Sequence, residues 1–279
     1  MKAKNIIKKI APPFFIDLFK SPKKYGFFGD YKTWSDALKD SRGYDAPEIL
    51  EKVKDSLLKV KNGEAEYERD SVTFSKIEYS WPVLAGLLWA ASLNESKLSV
   101  LDFGGSLGSS YFQNKKLLSH LKEFKWNIVE QDKFVESGKK YFEDGQLKFY
   151  KSIEESLQAS RSNVLLISST IQYIEDPYSL LEEILKNKFD IIIFDRTTFI
   201  EGKDRLTVQK VPPRIYDASY PAWFLDKNKF LEKFKKDYRL VSEFDSIGGK
   251  IQVGKNGDKD AAKNVAFEQG MIFARIMSQ

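Results

Sequence analysis

Cysteine is absent from the 279 residues, which excludes disulfides, thiolate zinc sites and cysteine nucleophiles. A single histidine, His120, rules out any multi-histidine metal cluster. No apolar run approaches the ~20 residues that a bilayer-spanning helix needs. Internal repeats and low-complexity tracts are missing as well. Charge of either sign is nearly balanced over most of the chain. The net charge is +5, but residues 1–24 hold seven Lys and one Asp, and the rest carries −1. A groove that neutralises phosphates makes its whole face basic, so nucleic acid is not expected as a partner.

What the chain does have is a glycine-rich turn between an apolar run and a serine-rich helix start. It reads Leu98-Ser99-Val100-Leu101-Asp102-Phe103-Gly104-Gly105-Ser106-Leu107-Gly108-Ser109-Ser110. Such a stretch is a strand, a tight turn and a helix N-terminus in succession. Glycines allow φ > 0 and let a ligand lie against the main chain. The next strand, 125–131, ends in Val129-Glu130-Gln131. An acid there can accept both ribose hydroxyls of a nucleoside. A dinucleotide site needs G-x-G-x-x-G, and Ser106 breaks that spacing. The pattern present, Asp102-x-Gly104-x-Ser106-x-Gly108, resembles motif I of the class I S-adenosylmethionine-dependent methyltransferases, with Ser at the middle glycine.

Around this turn the chain alternates strand and helix, the α/β signature. Before it, 25–93 reads as helical and aromatic, with helices at 34–41, 46–60 and 81–93. Asp45 is a candidate N-cap for the second helix, and the third is expected to pack on the sheet. After it come helices at 134–142, 152–158 and 178–185, and strands at 147–150, 163–168 and 189–194. The last two strands are near-continuous apolar runs, which suit a parallel sheet covered on both faces. From 197 to 223 the pattern lapses, and a lid-like loop is expected there. A helix at 226–236 and strands at 238–244 and 266–275 follow, with Gly248-Gly249 and a charged run at 250–263 separating the two strands.

Most of the chain resembles a bacterial family of class I methyltransferases whose genes lie among those for surface-polysaccharide biosynthesis. The likeness rests on Tyr31-Lys32-Thr33-Trp34, Ser41-Arg42-Gly43-Tyr44-Asp45, the turn 102–108, Val129-Glu130-Gln131 and Ala218-Ser219-Tyr220-Pro221. It implies a Rossmann-like, mostly parallel seven-stranded sheet with an antiparallel last strand over 94–279, preceded by a helical region at 25–93. S-adenosylmethionine is the implied cofactor, held by Asp102, Gly104, Gly105, Ser106, Gly108, Glu130, Gln131, Ser168 and Ser169. A surface glycan, sugar precursor or lipid-linked saccharide is the implied acceptor, in the cytoplasm or at the inner membrane face. The second reading is a non-catalytic member of the fold, acting as an assembly or regulatory partner at the membrane.

Methyl transfer to a hydroxyl needs a proton acceptor. His120 lies twelve residues past Gly108. Along a helix that is roughly 18 Å, too far from the turn for catalysis. A magnesium-dependent catechol-type site needs an Asp at the end of the fourth strand, where this chain has Ser168-Ser169-Thr170, so metal independence is expected. The N/D-P-P-Y of amino-methylating DNA enzymes is absent there too. Asp195, at the end of the fifth strand, is the candidate base, with Asp217 and Tyr220 as further candidates. Arg196, Tyr216 and Trp223 are candidates for binding the acceptor. Asp195 and Arg196 also suit a structural ion pair, and the aromatics of 197–223 a small hydrophobic cluster.

Residues 1–24 mix lysines with Ile6-Ile7, Ile10 and Phe14-Phe15-Ile16, interrupted by Pro12-Pro13 and Asp17. No small-residue cleavage site follows, so a secretion signal is not expected. The segment suits either an anionic membrane surface or a basic tail laying its aromatics on the body. Near an anionic surface each basic residue contributes about 1 kcal/mol. If the segment is a membrane contact, deleting it abolishes salt-sensitive binding to anionic vesicles and spares the rest of the chain. Equal pelleting of full-length and truncated protein with such vesicles excludes the membrane reading.

Overall fold

The computed structural model describes residues 24–43, 47–213, 215, 217–254 and 265–276. The basic segment at 1–23, Asp45 and Tyr216 fall outside them. The chain begins with strand β1 (Gly26–Tyr31), then helices α1 (Trp34–Lys39) and α2 (Pro47–Lys61). A hairpin of β2 (Tyr67–Arg69) and β3 (Val72–Phe74) leads into α3 (Trp81–Leu93). The alternating core runs β4 (Lys97–Phe103), α4 (Ser109–Leu118), β5 (Glu123–Val129), α5 (Asp132–Tyr141), β6 (Leu147–Tyr150) and α6 (Ile153–Ala159). It continues through β7 (Val164–Ser168), α7 (Pro177–Lys186) and β8 (Ile191–Ile200). Then come β9 (Arg205–Lys210), β10 (Ser219–Asp226), α8 (Lys227–Glu232), β11 (Tyr238–Gly254) and β12 (Val265–Arg275).

The main sheet has the order β10-β9-β1-β11-β12-β8-β7-β4-β5-β6. From β6 to β8 the strands are parallel, and β12 lies antiparallel between β8 and β11. Those seven strands are the Rossmann-like sheet expected from the sequence. Its two faces are filled as a doubly covered sheet requires. One face packs α2, α3, α4 and α5 through residues such as Leu57, Leu87, Tyr111 and Phe134. The other packs α7 and α8 through Leu181, Ile184 and Phe230. Helix α3 sits on the sheet as expected, so close that a Cβ at Gly86 would lie 2.8 Å from Ile193 Cδ1.

Three further strands of the main sheet and a separate hairpin go beyond that plan and correct the sequence reading. The region 25–93 is not purely helical: it supplies β1, which joins the sheet, and the β2–β3 hairpin. Residues 197–223 are not a loop-like lid. They extend β8 to Ile200 and form β9 and most of β10, which pair antiparallel from Ser219↔Lys210 to Phe224↔Arg205. Strand β1 joins β9 to β11, and β10 pairs back onto β8 at Leu225↔Phe199. Strands β8, β10, β9, β1, β11 and β12 therefore close into a ring around Phe27, Ile200, Ala222, Phe224 and Ala266. Gly248-Gly249 lies inside β11 rather than separating two strands.

The parallel half meets the ring at a break in register. Met271 of β12 pairs with Phe194, and Gln269 with Thr197, so Asp195 and Arg196 together oppose Gly270 alone. This is a β-bulge, a device that re-aims side chains where a strand bends. Arg196 takes φ 49° there, and a Cβ at Gly270 would meet the Phe244 ring at 2.0 Å. Among the described residues no helix is long and apolar enough to cross a membrane.

Candidate active site

A cavity opens at the carboxyl ends of β4, β7 and β8, where ligands of open α/β sheets bind. The β4–α4 turn forms its floor. Gly104 (φ 70°), Ser106 (φ 54°) and Gly108 (φ 110°) all adopt left-handed backbone, as the sequence pattern requires. Asp102 is buried beneath this turn and accepts the Trp126 indole N–H at 3.0 Å. A Cβ at Gly105 would lie 2.6 Å from that carboxyl, so the turn rests directly on Asp102. Burial pushes the Asp102 carboxyl up to about 7, the Trp126 bond opposing and the Glu130 charge adding to the shift.

Glu130 stands beside the turn, just after β5. Its carboxylate accepts the Gln131 N–H at 2.7 Å and the Ser106 N–H, and burial holds it above the usual carboxylate range. These bonds hold the acid against the turn, and it is not among the residues that line the cavity. Ser168 and Ser169, at the end of β7, line the cavity. Gly108 shapes the turn by starting α4 rather than by facing the cavity, and Gln131 is the exposed N-cap of α5.

Asp195 and Arg196 are brought in by the bulge. Asp195 is buried, with Ser168 Oγ at 3.4 Å and Ser246 Oγ at 3.5 Å donating to its carboxyl. Burial raises its pKa, with the Arg196 charge and these hydroxyls opposing. Arg196 Nη1 lies 3.3 Å from both carboxylate oxygens of Asp70 on the hairpin turn. Burial works to lower the Arg196 pKa, but the surrounding carboxylates hold it above its ordinary value.

Other candidates fall elsewhere. Tyr220 lines the cavity, its ring edge-on to Tyr173 at 5.2 Å. Asp217 is exposed and paired with Arg42, outside the cavity. Trp223 stacks on Trp34 at 6.4 Å and donates its indole N–H to the Glu175 carbonyl, so it braces the ring strands instead of meeting an acceptor. Tyr216 lies outside the described residues. His120 is exposed in the turn beyond α4 and does not line the cavity.

Sequence reasoning missed the hairpin and Glu268. Glu68 accepts the Ser71 N–H at 2.7 Å and the Ser109 hydroxyl at the start of α4. Burial raises it to about 7, with those bonds opposing. Glu268 of β12 lines the cavity and is raised by burial to about 8, Arg196 opposing. An acid set among the apolar residues of this strand, between Phe267 and Met271, was the available signal for Glu268. In all, five acids, Glu68, Asp70, Asp102, Asp195 and Glu268, line the cavity together with Arg69 and Arg196. Strain gathers here as well. Of the non-glycine residues at positive φ, Asp70, Ser71, Ser106, Ser169 and Arg196 all line this cavity. Such clustering is a mark of functional sites. Among the described residues no group of three or more His, Asp or Glu is arranged to hold a metal.

No family profile and no curated protein sequence matches the chain. Solved structures similar to it include the N-terminal domain of EvdMO1, crystallised in the presence of SAH and D-fucose, at 12% identity and a TM-score of 0.45, over 85% of this chain and 100% of that one. An S-adenosylmethionine-dependent methyltransferase from Clostridium acetobutylicum is 10% identical, with a TM-score of 0.42 over 68% of this chain and 89% of that one. The glycopeptide N-methyltransferase MtfA, complexed with sinefungin, is 9% identical, with a TM-score of 0.43 over 70% and 87% of the two chains.

The buried acids set a pH dependence. Glu68 and Asp102 are held at about 7 and Glu268 at about 8, all above the ordinary carboxylate range. In that window the folded chain keeps protons that the unfolded chain has released. The associated stability is complete below about pH 4 and is lost as pH rises through about 7 to 8. The melting temperature of the ligand-free protein should therefore fall between about pH 5 and pH 8.5. A flat or rising profile in calorimetry contradicts this electrostatic account.

Proposed function

We propose that the chain binds S-adenosylmethionine in this cavity and transfers its methyl group to a hydroxyl of a sugar, glycan or lipid-linked saccharide. The observation that carries the reading is the acid-rich cavity built around the Asp102–Gly108 turn, with the Glu130 carboxylate bonded to that turn at Ser106. The residues fit the cofactor. Glu130 suits the ribose diol, and the narrow turn lets the main chain approach the ligand. The excess of buried carboxylates suits a ligand that carries a sulfonium and an ammonium. When bound, the cofactor supplies an electrophilic methyl carbon.

The chain's own task is then to position the acceptor and remove its proton. Asp195, at the strand end beside Ser168, would accept the proton of the acceptor's hydroxyl. Burial has already raised its affinity for a proton, as a base in this position requires. Tyr220 and Tyr173 offer aromatic surface to a sugar ring, and Arg196 keeps the Asp195 carboxyl from taking its proton too early. Positioning does most of the remaining work in such an in-line displacement.

Calorimetry with SAH tests the cofactor assignment. The wild-type protein should bind, and Glu130→Ala should weaken binding by about 1.5–3 kcal/mol, the range for a hydrogen bond with a charged partner. Absence of binding by the folded wild-type protein overturns the enzymatic reading and favours the non-catalytic one. Asp195→Asn should keep SAH affinity and lose about 10²–10⁴ in turnover with a saccharide acceptor. Near-normal turnover would remove Asp195 from the mechanism.

A further inference from the structure

The hairpin carries a cation whose donors are not used. Arg69, the last residue of β2, is 5% exposed and lines the cavity. Its guanidinium lies beside the paired Tyr67 and Phe74 rings, 5.9 and 5.7 Å from their centroids. Nη2 is 3.0 Å from a Glu78 carboxylate oxygen, an ion pair without hydrogen-bond geometry. Neither Nη1 nor Nη2 has a hydrogen-bond partner among the described residues. Ser71 Oγ, across the turn, is buried without a partner as well. The other cavity cation, Arg196, already spends its Nη1 on Asp70.

Leaving donors of a buried charged group unfilled is costly, and a carboxylate can accept from two guanidinium nitrogens at once. Elsewhere the cavity is lined by acids, Glu68, Asp102, Asp195 and Glu268, and its other cation is already paired with Asp70. Position narrows the choice further. Glu68, next to Arg69, is bonded to Ser109, the first residue of α4, and the glycine-rich turn leads directly into that helix. The hairpin is thus fastened to the helix that the glycine-rich turn begins. Resting on the cofactor reading above, we infer that Arg69 binds the α-carboxylate of S-adenosylmethionine and so orients its amino-acid end, with the ammonium turned towards the acids. The strained Asp70–Ser71 turn (φ 51° and 64°) holds Arg69 at the cavity wall.

The test is calorimetry on the full chain with two probes, S-adenosylmethionine and its decarboxylated analogue, which lacks only this carboxylate. Arg69→Ala and Arg69→Gln should each weaken S-adenosylmethionine by about 10- to 100-fold and the analogue by less than about 2-fold. The ratio between the probes is what decides, because a loss of folded protein lowers both alike. Equal weakening of both probes means that Arg69 only supports the fold, and overturns the proposal. Unchanged affinity for both overturns it too, and moves Arg69 to a carboxylate on the acceptor. If wild-type protein binds neither S-adenosylmethionine nor SAH, the cofactor reading fails first, a result distinct from either of these.

Discussion

The site depends on one break in the sheet. Up to Phe194, β8 is an ordinary parallel strand paired with β7. Two residues later it belongs to the closed ring, and Asp195 and Arg196 absorb the change opposite Gly270. Only a residue without a side chain fits at 270, where Phe244 fills the space a Cβ would take. Without the bulge, alternation along β8 would send Asp195 and Arg196 to opposite faces of the sheet. With it, both line the same cavity, and the Arg196 N–H is held by Ser246 at 3.0 Å.

The bulge also explains how the chain tolerates so many acids in one cavity. Arg196, turned inwards, meets Asp70 from the hairpin and lowers the proton affinity of Asp195 and Glu268. Two regions far apart in sequence are thereby joined across the site. Burying a charge is costly unless it is paired, and unpaired acids respond by keeping their protons. The raised values at Glu68, Asp102 and Glu268 are that response. A cationic ligand relieves the same strain by a different route, which ties the cavity's electrostatics to what it can hold.

Much of this was legible in the residues, for local reasons. The β4–α4 turn, the apolar strands that follow and helix α3 each carry their signal within a short window. The ring did not. Strand β1 pairs Phe27 with Val253 and Gln209, partners so distant that no local pattern announces them. Strand β10 contains Pro221, which ordinarily argues against a strand, yet it pairs with Val208. The hairpin strands are only three residues each, and their turn uses Asp70 and Ser71 instead of the usual Asn-Gly or Asp-Gly. Hence Glu68, Arg69 and Asp70 escaped notice, while Asp195, placed by a long apolar strand, did not.

The departure at Ser106 has a physical explanation in the same turn. Three consecutive positions face different surroundings. A side chain at 104 would place its Cβ 2.2 Å from Thr170 Cγ2, and one at 105 would lie 2.6 Å from the Asp102 carboxyl. Glycine is therefore required at both by space, whatever the backbone angle. At 106 the demand is conformational alone: φ 54° costs a non-glycine residue about 1–2 kcal/mol. In return the Ser106 N–H remains bonded to Glu130, and its side chain lines the cavity. A serine is thus admissible at 106 where it would be excluded at 104 or 105, and the broken glycine pattern leaves the turn intact.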